Sequence, residues 1–96
     1  MTIYTKLDYK ILRYIIRNRE DKTKGYSRAN GTTIKEVIEL TNLSEGKVRN
    51  TISKFVKDGF LRYGISEGRT RTYCITEEGL RELQDIYMVD LEEADE

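Results

Sequence analysis

Apolar residues recur at helical spacing near the start of the chain. In "TKLDYKILRYIIR" (5–17), leucine or isoleucine stands at positions 7, 11 and 15, and positions 12 and 16 widen the stripe. Apolar residues every three to four positions are typical of a helix with one buried face. Thr5, with Asp8 three residues later, resembles a capping box. The pattern therefore predicts a helix over 5–17.

Two further helical patterns follow each other between residues 33 and 58. In "GTTIKEVIELTN", apolar side chains share one helical face behind Thr33, a suitable N-cap, and residues 32–34 fit a very short strand. After "NLSEG", the segment "EGKVRNTISKFVKD" predicts a second helix with Ser44 as N-cap. Gly59 suits the left-handed position that ends many helices. Two helices of about eight and about fourteen residues joined by a short turn indicate a helix-turn-helix over 33–58.

The next segment has the pattern of a β-hairpin. The runs "FLRYGI" (60–65) and "RTRTYCIT" (69–76) are joined by "SEG", a three-residue connection that ends in glycine. In the second run, Arg69, Arg71 and Tyr73 share one face of the predicted strand. This hairpin occupies residues 60–76.

The chain ends with one more helical pattern and an acidic tail. "EEGLRELQDIYMVDL" (77–91) has apolar residues at positions 80, 83, 87 and 91, and Thr76 is a suitable N-cap. Residues 92–96, "EEADE", form the tail. The predicted fold class is α+β, mainly α, in one domain over 1–91.

One long segment, "NREDKTKGYSRANG" (18–31), has no periodicity and is predicted to be a loop. Loops of this length in compact domains are often functional or disordered. Its basic residues offer contacts for a polyanion, but a mobile, solvated loop is the favoured interpretation. Those basic residues are Arg19, Lys22, Lys24 and Arg28.

The charge of the chain is divided unevenly. The 17 basic and 17 acidic residues cancel overall. Residues 1–76, however, hold 16 Lys and Arg against 8 Asp and Glu, and residues 77–96 hold one Arg against 9 Asp and Glu. Such a split indicates a body that faces a polyanion and an acidic appendage.

Several function classes lose support from the composition. The chain has no histidine and one cysteine, Cys74, which excludes a structural zinc site and is compatible with a cytoplasmic location. No phosphate-binding glycine loop, nucleophile motif or long apolar span occurs. We therefore predict a protein that is not an enzyme and has no metal, no cofactor and no membrane partner.

The predicted helix over 45–58 carries the candidate binding chemistry. Val48, Ile52 and Phe55 cluster on one side at helical spacing, which identifies the core face. The side chains predicted to point outward carry no carboxylate, whereas an ordinary solvated helix mixes acids with bases. They are Gly46, Lys47, Asn50, Ser53, Lys54 and Lys57, with Arg49 on the flank.

The order of elements resembles the winged helix-turn-helix family of bacterial, archaeal and phage transcription regulators. The resemblance rests on "TIKEVIELTNLSEGKVRNTISKFVKDGFLRY" and "GRTRTYCITEEGLREL" and covers about residues 5–90. MarR-like and PadR-like repressors, replication initiators and plasmid-partition adaptors share the pattern. The resemblance implies a recognition helix in the major groove of DNA. It also implies a wing against the phosphate backbone or in the minor groove.

The residue chemistry suggests a role for each candidate in binding DNA. Asn50 suits a paired hydrogen bond to adenine, and Lys47 and Arg49 suit guanine. Gly46 would allow close approach of the backbone. Phosphate contacts are expected from Lys54 and Lys57 and, at helix starts, from Ser44 and Thr33. Ser53 belongs to the same outward face, and Arg69 and Arg71 suit phosphate contacts or a narrow minor groove. The alternative for the two wing arginines is that they protect an edge strand from aggregation.

We favour a sequence-specific double-stranded-DNA binder that acts as a homodimeric transcriptional regulator or repressor. The expected dimer surfaces are helix 1, with Ile11, Tyr14 and Ile15, and the last helix, with Leu83, Tyr87 and Leu91. One alternative is a DNA-binding adaptor in plasmid or phage partition or replication. Another is a winged helix used only for protein–protein contact.

Overall fold

The structure is a computed structural model and describes residues 3–87. In this part of the chain the helices and strands are α1 Lys6–Tyr14, β1 Thr32–Thr33, α2 Ile34–Thr41, α3 Glu45–Lys57, β2 Leu61–Tyr63, β3 Thr72–Ile75 and α4 Glu77–Tyr87. A 3₁₀ turn at Arg28–Asn30 interrupts the long loop between α1 and β1. The α+β class, mainly α, is confirmed. Positions 88–91 of the predicted last helix and the 92–96 tail lie outside the described residues.

The first three helices begin at the predicted N-caps. The Thr5 hydroxyl accepts from the Asp8 N–H at 3.2 Å, and the Asp8 carboxylate accepts from the Thr5 N–H at 2.9 Å. The hydroxyls of Thr33 and Ser44 accept in the same way from the N–H groups of Glu36 and Lys47. These bonds satisfy amides that have no partner within the helix.

Helix α1 ends at Tyr14, three residues earlier than the periodicity predicts. The N–H groups of Ile15 and Ile16 bond to carbonyls three residues back, which tightens the last turn. The Ile15 carbonyl accepts a buried hydrogen bond from the Thr32 hydroxyl at 2.6 Å. A contact from a distant segment therefore replaces the next helical bond, which local periodicity does not reveal.

The sheet has three strands, not the two of the predicted wing. Its order is β1-β3-β2, and both pairings are antiparallel. The two hairpin strands are also shorter than predicted. Beyond Tyr63, the Gly64 N–H donates a hydrogen bond to the Thr72 carbonyl at 2.9 Å, and an antiparallel β-bridge pairs Glu67 with Thr70. Strand β3 is thus the centre of the sheet, because the short strand at 32–33 pairs with its other edge.

The hydrophobic core lies between the helices and the sheet. Its fully buried side chains include Phe55, Leu12, Ile52, Leu61 and Val37. The prediction that Ile11, Ile15 and Leu83 lie on a dimer surface is wrong, since each is 0% exposed within the single chain. The core of the single chain already buries these apolar side chains. Leu91 lies outside the described residues.

The loop over 18–31 is folded back onto the sheet, which contradicts the interpretation of a mobile, solvated segment. Its Gly25 carbonyl accepts from the Ile75 N–H at 2.8 Å, and its Arg28 carbonyl accepts from the Ile65 N–H at 2.7 Å. Gly25 has a φ of +84° and leaves no room for a Cβ against the Ile15 carbonyl. The loop is therefore part of the folded body.

Candidate nucleic-acid interface

Helix α3 presents one exposed polar face. Val48, Ile52 and Phe55 point into the core, as the spacing predicts. The exposed residues of the opposite side are Glu45, Gly46, Arg49, Asn50, Ser53, Lys54 and Lys57, and the N-cap Ser44 is exposed at its start. At Gly46 a Cβ would meet no atom of the described chain within 4 Å. The fold itself thus tolerates a side chain at that position.

Lys47 is not on this face, which corrects the sequence prediction. Its Nζ lies 2.6 Å from Asp8 Oδ1, and the Thr51 hydroxyl donates to the same oxygen at 3.4 Å. On α1, Asp8 faces the core side and is only 6% exposed, whereas Leu7 is 41% exposed. Lys47 therefore joins α3 to α1 instead of pointing outward.

The ionisation of Asp8 reflects this environment. Burial of the Asp8 carboxylate raises its pKa, but the hydrogen bonds from Lys47 and the Thr5 N–H act in the opposite direction and hold the pKa below its ordinary value. The carboxylate stays charged at neutral pH. It satisfies the amide of the N-cap and holds the ammonium of Lys47 at the same time.

The exposed face of α3 also contains a carboxylate that the prediction overlooked. Glu45 Oε2 lies 2.8 Å from Arg49 Nη2, one helical turn away. The Arg49 side chain is 59% exposed and that of Glu45 is 64% exposed. An exposed pair of this kind contributes only about 0–1 kcal/mol. Another anion could therefore replace the Glu45 carboxylate beside the Arg49 guanidinium at little cost in free energy.

The two wing arginines are exposed, and one of them is held in place by aromatic rings. The Arg71 guanidinium lies 4.4 Å from the centre of the Tyr63 ring, and the Tyr63 ring packs against Tyr73 at 5.6 Å. Burial and the adjacent Tyr63 raise the pKa of Tyr73, and the nearby charges of Arg71 and Arg49 oppose that rise. The tyrosine pair therefore links the wing to the side of α3 that carries Arg49.

A cleft of about 580 Å³ separates the wing tip from the starts of α2 and α3. Four cationic side chains and one carboxylate meet there, so the cleft favours an anion. The sequence prediction missed Lys35 and Tyr63. Sequence reasoning could have found Lys35 from its exposed position in the first turn of α2. The lining residues are Ile34, Lys35, Ile38, Glu45, Arg49, Arg69, Thr70, Arg71 and Tyr73.

Among residues 3–87, no three His, Cys, Asp or Glu side chains are grouped so that they could hold a metal ion. No helix in the same range combines the length and the apolar character needed to cross a bilayer.

Neither a family model nor a curated protein matches the chain, but solved structures do. The PcaV transcriptional regulator from Streptomyces coelicolor matches with a TM-score of 0.69 at 19% identity, over 88% of this chain and 54% of that protein. This chain therefore spans about half the length of PcaV. The arrangement of helix-turn-helix, hairpin and final helix is common to both. The fold is a winged helix-turn-helix.

Two TubR structures share this winged-helix fold. The DNA-binding TubR fragment from Clostridium botulinum has a TM-score of 0.67 and 26% identity, over 88% of this chain and 99% of the fragment. A type III plasmid segregation TubR has a TM-score of 0.60 and 19% identity, over 100% of this chain and 96% of that protein. In the winged-helix fold, α2 and α3 form the helix-turn-helix, and residues 61–75 form the wing.

The carboxylate of Asp8 should make stability depend on pH. We expect Asp8→Asn to lower the free energy of unfolding by about 1–3 kcal/mol at neutral pH, because Lys47 and Thr51 lose a charged acceptor. The folded pKa lies below the ordinary 3.8, so this contribution is complete above that value and is lost as the pH falls through the folded pKa. Urea unfolding of both proteins at stepped pH measures the difference.

The matched control is Asp85→Asn, at an exposed carboxylate of α4. It should change the free energy of unfolding little at any pH. A penalty for Asp8→Asn that persists undiminished at acidic pH would show that packing of the side chain, not its charge, is the cause.

Proposed function

We propose that this chain binds double-stranded DNA and reads its sequence, as a small dimeric transcriptional regulator or repressor in the cytoplasm. The observation that carries the proposal is the convergence of exposed cations from three elements. Lys35 on α2, Arg49 on α3 and the wing residues Arg69 and Arg71 line one cleft. An anionic backbone entering this cleft would lie beside the exposed face of α3.

The dimensions and chemistry of α3 suit the major groove of B-DNA. The groove is about 12 Å wide and admits one α-helix. Asn50 and Arg49 lie in the first half of α3, the part that enters the groove first in helix-turn-helix complexes. Asn50 would pair with adenine and Arg49 with guanine. Gly46, where the fold leaves open space, would admit the DNA close to the helix backbone.

The remaining candidates would contact the phosphate backbone. Lys54 and Lys57 are exposed further along α3, and Ser44 and Ser53 offer hydroxyl groups. Arginine suits both phosphate contacts and a narrow minor groove, which are the two positions open to Arg69 and Arg71. Lys47 would contribute indirectly, because its ammonium holds α3 against α1.

A role in plasmid segregation is the second candidate. It is supported by the similarity to a type III plasmid segregation TubR and to a DNA-binding TubR fragment, which is 26% identical and covered to 99%, whereas 54% of PcaV is covered. Mapping bound DNA in the source cell separates the two roles. A regulator occupies promoters, whereas a segregation protein occupies a site on the plasmid whose inheritance depends on it. Use of the fold for protein contact alone would leave the cationic cleft without a role.

We further propose that two copies associate through α1 and α4. A groove between these helices is lined by the apolar and aromatic side chains of Tyr9, Tyr14, Ile86 and Tyr87 and by three cations, Lys6, Lys10 and Arg13. Ile86 is 45% exposed. Two-fold symmetry would place two recognition helices on one site and double the number of bases read.

Substitution of Asn50 should separate sequence reading from general affinity. We expect Asn50→Ala to weaken binding by about 1–3 kcal/mol on a site selected from a random library, and much less on random DNA. Lys57→Ala is the matched control and should weaken both by similar amounts, because a phosphate contact carries no sequence information. Mobility-shift titrations measure both. If Asn50→Ala weakened binding equally on all DNA sequences, the residues that contact base edges would have to lie elsewhere than at Asn50.

The wing arginines should govern the salt dependence of binding. If each neutralises a phosphate, its replacement by alanine makes the log–log salt slope shallower by roughly 0.9 per subunit. The measurement is a salt titration of the wild type and Arg69→Ala/Arg71→Ala on one DNA fragment. Arg81→Ala, which removes an exposed cation from α4, should leave the slope unchanged. An unchanged slope together with increased aggregation of the double variant would instead support protection of a strand edge.

The association of two copies is tested by sedimentation at micromolar concentration. The wild type should sediment as a dimer, and Ile86→Lys should give a monomer, because it removes an exposed apolar side chain and adds a cation to a groove that already holds Lys6, Lys10 and Arg13. Ile65→Lys, at an exposed wing residue, is the control and should remain dimeric. A monomeric wild type would overturn the dimer without affecting the DNA proposal.

A further inference from the structure

The wing has little internal support for its orientation. Strand β2 has three residues, and past Tyr63 three contacts join the two sides of the hairpin: the Gly64 N–H donates to the Thr72 carbonyl, the Thr72 hydroxyl donates to the Ile65 carbonyl at 2.9 Å, and a bridge pairs Glu67 with Thr70. A two-stranded hairpin alone is marginally stable in water. Within the hairpin, the Tyr63 ring holds the Arg71 guanidinium, but the orientation of the hairpin as a whole also depends on contacts from outside it.

Loop 18–31 supplies such contacts to both strands of the wing. On the β2 side, the Arg28 carbonyl accepts from the Ile65 N–H at 2.7 Å, and Arg28 Nε donates to the Tyr63 carbonyl at 3.2 Å. On the β3 side, the Gly25 carbonyl accepts from the Ile75 N–H at 2.8 Å. The Arg28 carbonyl also lies against Gly64, where no Cβ would fit. One loop thus holds both sides of the wing base.

A compact set of side-chain hydrogen bonds gives the loop its shape. Asn30 Nδ2 donates to Asp21 Oδ2 at 2.9 Å and to Thr23 Oγ1 at 2.8 Å. Asp21 Oδ1 accepts from both the N–H and the hydroxyl of Thr23. The Asn30 carbonyl accepts from the Gly25 N–H at 2.7 Å. Asn30 therefore joins the start of the loop to the residues that contact the wing.

We propose that loop 18–31 is a positioning element for the wing and that Asn30, which touches no part of the candidate DNA surface, is a positioning residue for DNA binding. The inference rests on the proposed function. A wing held in its binding orientation loses less conformational freedom when DNA arrives, so affinity rises without a new contact. The hydrogen bonds from Thr23 and Asn30 lower the pKa of Asp21 to about 2, so its carboxylate remains the charged acceptor of these bonds even at moderately acidic pH.

The first measurement needs no DNA. In Asn30→Ala, the Ile65 N–H should exchange with solvent faster than in the wild type, because the Arg28 carbonyl that accepts from it is no longer held in place. The amide of Ile52 in the core of α3 should exchange at an unchanged rate, which verifies that the body stays folded. Ser27→Ala, in the same loop and with no side-chain cap bond, is the matched control and should leave the exchange at Ile65 unchanged.

The second measurement is a double-mutant cycle in DNA binding. We expect Asn30→Ala to weaken binding about three- to ten-fold although it changes no charge, with Ser27→Ala unaffected. In the background of Arg69→Ala/Arg71→Ala, the same substitution should cost almost nothing, because the wing no longer contributes. Independent sites would give additive losses instead. Arg28→Lys keeps the charge but loses the fixed Nε donor, and it should resemble Asn30→Ala.

The outcomes distinguish the two proposals. Faster exchange at Ile65 with intact binding, or an Asn30→Ala loss that stays the same without the wing arginines, would overturn the positioning role and leave DNA binding standing. If the wild type itself shows no salt-dependent DNA binding, the proposed function fails. In that case, the exchange data still show whether loop 18–31 holds the wing.

Discussion

Strand β3 is the element on which the rest of the structure depends, because all four of its residues are buried. A buried strand must find hydrogen-bond partners along both edges, since unpaired backbone groups out of reach of water are costly. Strand β2 serves one edge. Strand β1 and the Gly25 carbonyl serve the other. A short hairpin can therefore be stable here only because a segment far earlier in the chain returns to complete the sheet.

The same strand connects the wing to the final helix. Directly after β3, the Thr76 hydroxyl accepts from the Gly79 N–H at 3.0 Å and donates to the Gly59 carbonyl at 2.6 Å. Gly79 itself packs against the Phe60 carbonyl with no room for a Cβ. The end of α3, the start of β2 and the start of α4 are thus brought together at one point. Helix α3 and the wing consequently share one base.

The cations of α3 lie in two different environments. Lys47 is bound to a buried carboxylate on α1, and removal of Lys47 would leave the charge of Asp8 poorly solvated. Arg49 is paired with an exposed carboxylate, where the interaction is weak and easily exchanged. Two basic residues two positions apart are therefore held with different firmness. The difference arises from the side of the helix on which each one lies.

Local chemistry in the sequence determined the elements of this protein. Thr5, Thr33 and Ser44 are N-caps because their hydroxyls reach amides three residues later, and Gly59 ends α3 because glycine tolerates a positive φ. Apolar spacing identified the core face of α3. Each of these signals acts over a few residues, so sequence reasoning recovered the order of elements and most of the exposed face of the candidate site.

Only the tertiary structure decided what depends on contacts between distant residues. The partner of Lys47 lies 39 residues earlier, and the strand that completes the sheet is about as far from β3. The loop over 18–31 has no periodicity because its order comes from hydrogen bonds to residues such as Ile65 and Ile75. The apolar faces of α1 and α4 are also buried in the core of the chain itself. Local pattern could not show this, because it records which face of a helix is apolar and not what covers that face.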